Sequence, residues 1–401
     1  MSTSILYHAY GIKGVQYKST QYEKGHIIYS AEMTDQEIPC PKCHCKTSHF
    51  KGQKMRQFKM LPVGSKKCFL DLTLHRLKCT NCDYQWWPRL SFMKGKFRMT
   101  KTFIQYAFDL LNISTIQDVS KLLGISWNVV KKIHKMRLKK LYKKIPLKDI
   151  EYVSVDEFAI RKGHSYMTVF TDILSGRIIH AVEGRTIENV TPFLLQLKKE
   201  APRLKAIAMD MSISYIPAVE QSLPNVDIVF DHFHVNALMN KALDEIRKEQ
   251  QLEMNQVEKK VLKGNRFLIL RNYEDLEPEC KNRLEGILKV NEPLFKAHAL
   301  KEQFRLFWEQ ESPKKAHIFL DQWISDAHEP GIKKLKKMAK TLDKHRKGLL
   351  NYFKHYISNA QAEGINNKIK TMKRQAYGFR DVEYFKLRLY HLHEQRYAFV
   401  G

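Results

Sequence analysis

With 401 residues, 43% of them hydrophobic and 11% aromatic, the chain is too long for one ordinary core and too apolar for wholesale disorder. Lysine and arginine total 69 against 42 acidic residues, and the resulting net charge of +27 draws in polyanions by counterion release. This favours a nucleic-acid partner, a merely basic or ribosome-associated protein being the alternative; no uncharged apolar run could span a bilayer and residues 1–14 lack a signal-peptide layout, so a cytoplasmic, nucleoid-associated protein is expected.

After an N-terminal segment, 1–35, six of the seven cysteines gather between Cys40 and Cys82. In a reducing compartment that clustering reads as metal binding and not as a disulfide framework. Cys40-Pro-Lys-Cys43 and Cys79-Thr-Asn-Cys82 are two C-x2-C knuckles, each able to offer two thiolates on a tight turn, and together they complete a tetrahedral structural zinc site. The stretch between them is longer than the commonest ribbon spacing and holds hairpin-like material, 57–61 and 69–77, around Pro62-Val63-Gly64-Ser65; His44, Cys45 and Cys68 are possible substitute ligands. Basic and aromatic neighbours such as Lys51, Lys54, Arg56, Trp86 and Trp87 suit DNA contact, so 36–97 is expected to be a zinc-ribbon DNA-binding module.

Residues 98–147 carry a helix-turn-helix pattern. A first helix ends at Gly124, which supplies a left-handed turn residue, and Ser126 caps a second. Val119, Leu122, Ile125, Val130 and Ile133 are its expected core, and Trp127, Asn128, Lys131 and Lys132 its groove-facing residues. Any helical hairpin can mimic this pattern; its place beside a zinc ribbon strengthens it.

The texture changes near Ile150. Runs at 152–160, 166–172 and 177–184 read as antiparallel strands, followed by a helix (187–200), a strand (204–209), a helix (214–222) and a strand (226–230). The order β-β-β-α-β-α-β implies a mixed sheet with helices on its faces and resembles the ribonuclease-H-like fold, with 148–235 as its first part. From 236 to 356 the pattern is helical throughout, with apolar positions such as Phe304, Phe307, Leu320 and Trp323 at helical spacing. The basic run 333–347 is either a solvated face or a DNA contact. Residues 357–401 close the sheet domain.

Two-metal phosphoryl transfer needs carboxylates that hold two cations roughly 4 Å apart over the scissile phosphate, and hard oxygen ligands suit magnesium. Asp156 interrupts the apolar strand Val153-Ser-Val-Asp-Glu-Phe, where a charge is costly unless paired or metal-bound. Asp210 ends Ala206-Ile-Ala-Met-Asp, and Glu363 stands near the start of a later helix. Each acid alone could be a cap or a surface group; three at matching topological points weigh together. Glu157, Asp172 and Asp231 are rivals, Asp231 being the best auxiliary ligand, and His232 and His234 either orient phosphates or simply pack.

At these residues the chain resembles transposases of the ISL3 group of bacterial insertion sequences. The matching stretches are 40–82, Ser154-Val-Asp-Glu-Phe-Ala-Ile-Arg-Lys-Gly-His-Ser-Tyr-Met-Thr, Asp210 with Tyr215, Asp231-His-Phe-His-Val, Ser358-Asn-Ala through Glu363 to Lys370, Lys373-Arg374 and Tyr377-Gly-Phe-Arg380. The resemblance implies a catalytic triad of Asp156, Asp210 and Glu363 that uses Mg2+ or Mn2+, with Asp231 and His234 auxiliary. It implies recognition of double-stranded terminal inverted repeats by the amino-terminal region, target DNA as second substrate, a dimer or higher oligomer on DNA, and 236–356 as an all-α insertion. Beside the third acid, Lys368, Lys370, Lys373, Arg374 and Arg380 then read as a phosphate-facing surface. The alternatives are a transposase-derived DNA-binding regulator without catalysis, and a structure-selective nuclease.

Overall fold

The computed structural model describes residues 4–34, 38–95, 97–160, 165–212, 214–254, 259 and 262–394, except residue 359 and the side chains of 360–363 and 394. The chain forms two compact units, 4–143 and 144–393. Among the described residues no helix is long and apolar enough to cross a membrane.

In the first unit a short helix α1 (Ile5–His8) precedes strands β1 (Val15–Glu23), β2 (His26–Met33), β3 (Ser48–Val63), β4 (Lys66–Cys79) and β5 (Gln85–Trp86). The segment 1–35, for which no element is expected from sequence, thus supplies a hairpin. It joins the ribbon because β2 pairs in parallel with β4, setting Ile27, Tyr29 and Ala31 against Cys68, Leu70 and Leu72. Alternation along β4 sends Cys68, Leu70, Leu72 and Leu74 into one buried face, where Phe58, Met60 and Phe92 complete the core. The long interval between the knuckles is therefore an antiparallel ribbon of 16 and 14 residues.

Helices α2 (Lys101–Leu110), α3 (Ile116–Leu123) and α4 (Trp127–Leu141) follow. Thr115 and Asp118 form a capping box at α3. Gly124, at φ +57°, ends α3 in the left-handed region that favours glycine. Two expectations are corrected. Leu122 is 65% exposed and Leu123 is buried in its place, because a one-residue shift moves a side chain by 100° around the helix. Ser126 occupies the N-cap of α4 but its side chain makes no capping bond. Lys59 of β3 donates to the Gly124 carbonyl at 2.8 Å, tying ribbon to turn, and burial holds its ammonium below the usual range.

The second unit is built on β6 (Tyr152–Ala159), β7 (Tyr166–Asp172), β8 (Ile178–Glu183), β9 (Ala206–Met209) and β10 (Asp227–Phe230), in the order β10-β9-β6-β7-β8. β6, β7 and β8 are antiparallel neighbours, while β9 runs parallel to β6 and β10 parallel to β9. Helices α5 (Ile187–Glu200) and α6 (Tyr215–Ser222) cover the face carrying Val153, Val155 and Phe170. Then come α7 (His232–Glu253), α8 (Arg266–Leu270), α9 (Pro278–Lys289), α10 (Glu292–Arg305), α11 (Pro313–His328), α12 (Lys333–Lys344), α13 (Arg346–Leu350) and α14 (Tyr352–His355). Glu292-Pro293 and Ser312-Pro313 stand at helix starts: Asn291 and Ser312 cap α10 and α11, each with proline in the first turn. Trp323, fully buried, donates its indole N–H to the Leu300 carbonyl at 2.9 Å. Finally α15 (Ala360–Gln375) and α16 (Val382–Tyr390) cover the opposite sheet face, placing Ile365, Ile369, Phe385 and Leu389 on Met167, Val169 and Ile178.

Two stability predictions arise from this packing. Gly348 of α13 lies under Phe230 so closely that a Cβ would stand 2.3 Å from the ring. Gly348→Ala is expected to lower stability by about 1–3 kcal/mol, read as an earlier urea midpoint, because neither helix nor strand end can give way. An unchanged midpoint would mean that this contact is loose.

His180, His298 and His391 are each pushed down to about 4, first by burial and then by Lys386, Lys301 and Arg388 respectively. Unfolded histidine titrates at about 6.5. Between those values the unfolded chain binds protons that the fold refuses, so their stabilising effect is full above about pH 6.5 and is lost as pH falls to about 4. The urea midpoint is expected to drop across that window. A midpoint that stays level from neutrality to pH 4.5 would contradict this account.

Candidate active site and zinc centre

The four knuckle cysteines converge. Their Sγ atoms all lie within 4.8 Å of one another, Cys40 to Cys82 at 3.6 Å and Cys43 to Cys79 at 3.4 Å. A zinc ion with four sulfurs at about 2.3 Å would separate them by roughly 3.8 Å, so the cluster fits that ion. The knuckles also repeat one another. Lys42 and Asn81 donate their N–H groups to Cys40 and Cys79 Sγ at 3.4 Å, and the N–H groups of Cys40 and Cys79 reach the Cys45 and Tyr84 carbonyls at 2.9 Å. After each second cysteine the chain turns left-handed, at His44 (φ +60°) and Asp83 (φ +56°). His44 is thus a turn residue, Cys45 sits 3.1 Å from the Thr47 hydroxyl, and Cys68 belongs to the core; none joins the cluster.

On α4 the buried side is Val130, Ile133, His134 and Leu138. Trp127, Asn128 and Lys132 stand exposed on the other side, and the half-buried Lys131 places its ammonium 5.6 Å from the Trp127 ring centre.

In the second unit the parallel register of β6 and β9 pairs Ser154 with Ala208. Two residues further along each chain stand Asp156 and Asp210, which brings these acids side by side. Burial raises the Asp156 carboxyl, with the Asp210 charge acting in the same direction, although the Glu157 N–H bonded to it at 2.7 Å pulls the other way. His234, in the first turn of α7, lies 2.7 Å from Asp210 Oδ1, and this close carboxylate raises the imidazole against the effect of burial. From the opposite layer Asn366 of α15 donates to Asp156 Oδ2. Its own Oδ1 is buried without a partner among the described residues. Two adjacent carboxylates, neither ion-paired by lysine or arginine among the described residues, and an unsatisfied amide oxygen form a hard-oxygen donor set that suits Mg2+ or Mn2+. Glu363 lies on α15, but its side chain is outside the described residues.

The rival acids are held elsewhere. Glu157 faces the other side of the sheet, where the Tyr215 hydroxyl donates to it at 3.0 Å and Arg185 lies at 3.3 Å. Asp172 accepts the Leu174 and Ser175 N–H groups in the β7–β8 turn. Asp231 is the buried N-cap of α7, bonded to the Phe233 N–H at 3.4 Å and 3.9 Å from His234. His232 packs against Trp308 and Tyr352. Within the basic cluster Lys370, Arg374 and Arg380 are exposed and Lys368 is half-buried. Lys373 departs from expectation: it donates to the Ala159 carbonyl and lies 5.7 Å from the Phe158 ring centre, clamping α15 to the end of β6. Sequence reasoning passed over Asn366 and Tyr215 as site residues; the available signal was the spacing Glu363-x-x-Asn366, one helical turn.

Comparison with known proteins agrees along most of the chain. Residues 153–389 match the ISL3 transposase model, 36–82 the zinc-finger of transposase IS204/IS1001/IS1096/IS1165, and 88–136 the helix-turn-helix domain of transposase family ISL3. The transposase for insertion sequence element IS1001 of Bordetella parapertussis is 32% identical over 90% of this chain and 89% of its own length. The transposase for insertion sequence element IS1557 of Mycobacterium tuberculosis is 26% identical over 85% of this chain and 82% of its own. Among solved structures, the Drosophila P element transposase strand transfer complex aligns at 8% identity and a TM-score of 0.40, over 76% of this chain and 94% of that one, too loosely to bear on the fold. Zinc is accordingly a structural cofactor, a divalent metal is the catalytic one, and DNA is the partner. The chain belongs to the ISL3 family of insertion-sequence transposases.

Proposed function

We propose that Asp156, Asp210 and Glu363 are the catalytic triad of a ribonuclease-H-like domain made of 148–235 and 357–401, with 236–356 inserted between its parts. The sheet order, three antiparallel strands followed by two parallel ones, supports that fold. The observation that carries the reading is the juxtaposition at Asp156: Asp210 beside it in register, and α15 docked on it through Asn366. Glu363 precedes Asn366 by one helical turn, the spacing that shares a helix face.

Divalent cations at these acids would activate the attacking oxygen and steady the leaving one in an in-line displacement. His234 holds the Asp210 carboxylate and Asn366 that of Asp156, which fixes the donor oxygens before substrate arrives. Lys368, Lys370, Arg374 and Arg380 neutralise phosphates of the bound strand, while Lys373 keeps α15 seated on the sheet. Cys40, Cys43, Cys79 and Cys82 hold the zinc that shapes the 36–97 module. That module and the helix-turn-helix of 98–147, through Trp127, Asn128, Lys131 and Lys132, recognise the element's terminal inverted repeats. Hydrolysis at the repeat end frees a 3′ hydroxyl, which attacks target DNA; two ends cut together require at least a dimer on DNA.

A labelled duplex carrying the terminal repeat tests this. Wild-type chain with Mg2+ is expected to nick at the repeat end, and Glu363→Gln to do so about a hundredfold more slowly or less, with repeat binding unchanged. Tight binding without cleavage by the wild type, in Mg2+ or Mn2+, would leave a DNA-binding regulator.

A further inference from the structure

Helix α12 carries a charge arrangement that the catalytic reading leaves unused. Leu335, Met338, Ala339 and Leu342 bury one side of it. On the other, Lys333, Lys337, Lys340 and Lys344 are exposed, and Lys347 continues the row on α13. Steps of four, three and four residues follow the helical repeat, so the four ammonium groups of α12 form a single ridge about 16 Å long.

Three lysines elsewhere in the helical segment are neutralised one turn away: Lys296 by Glu292 at 2.7 Å, Lys315 by Glu311, Lys248 by Asp244 at 3.0 Å. Lys334, on the flank of α12, is held by Glu245 at 2.8 Å. Among the described residues no carboxylate ion-pairs the ridge lysines. Asp343, the acid of α12, is taken by Arg346 at 2.8 Å, and Glu245, which feels the Lys337 charge, is bonded to Lys334. Like charges one turn apart destabilise a helix, and among the described residues no ion pair offsets them here. A polyanion would.

The ridge also leads somewhere. At its end α13 packs on the edge strand β10, with Gly348 under Phe230, and Asn351 just beyond donates to the Ile228 carbonyl at 2.9 Å. β10 runs directly into Asp231. Duplex DNA shows one negative charge per about 1.7 Å of axis, so a ridge of this length faces on the order of ten phosphates.

We propose that this ridge is a sequence-independent docking surface for the sugar-phosphate backbone of duplex DNA, holding it along the sheet edge beside the carboxylates. Its orientation toward cleavage rests on the catalytic reading above; its binding does not. The duplex is target DNA, since a row of ammonium groups contacts phosphates without reading bases; the element's own end is the alternative that the test separates.

The test uses the full chain with Lys337→Gln, Lys340→Gln and Lys344→Gln combined. Binding is measured against salt on a repeat-bearing and on an unrelated duplex. The slope of log Kobs against log salt is expected to fall by about 2.7, three contacts at roughly 0.9 each, with the thermal midpoint unchanged. A matched control, Lys263→Gln, Lys289→Gln and Lys314→Gln, removes the same charge from other exposed positions and is expected to change the slope by less than about one. A fall of similar size on both duplexes is the expected result, and a fall confined to the repeat-bearing duplex would reassign the ridge to the transposon end and overturn the sequence-independent reading. An unchanged slope on both duplexes, or an equal fall in the control, overturns the proposal. Because binding is the readout, cleavage that survived Asp156→Asn would sink the triad without touching this result.

Discussion

Asp156→Asn is expected to reduce cleavage of a terminal-repeat duplex by about a thousandfold or more while leaving repeat affinity intact, a loss of roughly 4 kcal/mol of transition-state stabilisation. The substitution keeps shape and removes charge, so it deletes a hard ligand without opening a cavity. The same geometry predicts what happens to stability. The Asp156 carboxyl is half-buried beside Asp210 and is held above its usual range, which means that the folded protein tolerates its charge poorly without a cation. The neutral amide relieves that repulsion, so the variant's thermal midpoint without metal should equal or exceed that of the wild type, a site kept for function at some cost to stability. Adding Mg2+ should raise the wild-type midpoint by mass action and move the variant much less. Near-wild-type cleavage by the variant would remove Asp156 from the chemistry. Lost cleavage together with a lower midpoint and an unchanged metal response would recast it as a structural acid.

Stripping zinc is expected to have the second-largest effect, and a local one. Outside the four thiolates the cluster around the knuckles offers little apolar packing, chiefly Ile38, Leu77 and Trp86. A structural zinc site with thiolate ligands is worth on the order of 10 kcal/mol, far more than that packing supplies. The ribbon further along is different: Phe58, Met60, Leu70 and Leu72 have their own core, and Lys59 ties β3 to the helix-turn-helix. Chelation, or Cys79→Ser, should therefore expose residues 38–50 and 77–87 to protease while β2, the inner halves of β3 and β4, and α2–α4 stay protected. Repeat affinity should drop by about tenfold or more, the loss of roughly 1.4 kcal/mol or above. Protease resistance that persists after verified zinc release would show that the knuckles hold without metal. Collapse of the whole unit would show instead that the hydrophobic core of the ribbon cannot stand alone.

The parts of this protein legible in its sequence share one property: their signals are local. C-x2-C places two thiolates on one turn whatever surrounds it, and both knuckles fold alike. Gly124 between two apolar-periodic stretches marks a left-handed turn, as found at φ +57°. The strands 152–160, 166–172 and 177–184 were readable from β-branched runs and turn residues, and the helices from their repeat. Asp156 and Asp210 stood out because an acid within or ending an apolar strand is costly on its own.

Tertiary structure alone decided what depends on partners distant in sequence. The first strand of the hairpin, β1, is mostly exposed, so its pattern is weak, and the buried face of β2 exists only because that strand pairs with β4. Asp156 and Glu157 differ by one residue, and which faces α15 and which faces Tyr215 is set by the pleat once the strand is placed. Leu122 and Leu123 were likewise indistinguishable until α3 met its neighbours. The basic run 333–347 reads from sequence as either a solvated face or a DNA contact, because charge composition does not say where the acids are. The fold places Glu245 on Lys334 and Arg346 on Asp343, and so leaves one row of lysines without an ion pair among the described residues. Residue type and spacing determined which groups the chain can offer; the register of strands and the docking of helices determined which of them meet, since electrostatic and packing energies fall off over a few ångströms and are blind to distance along the chain.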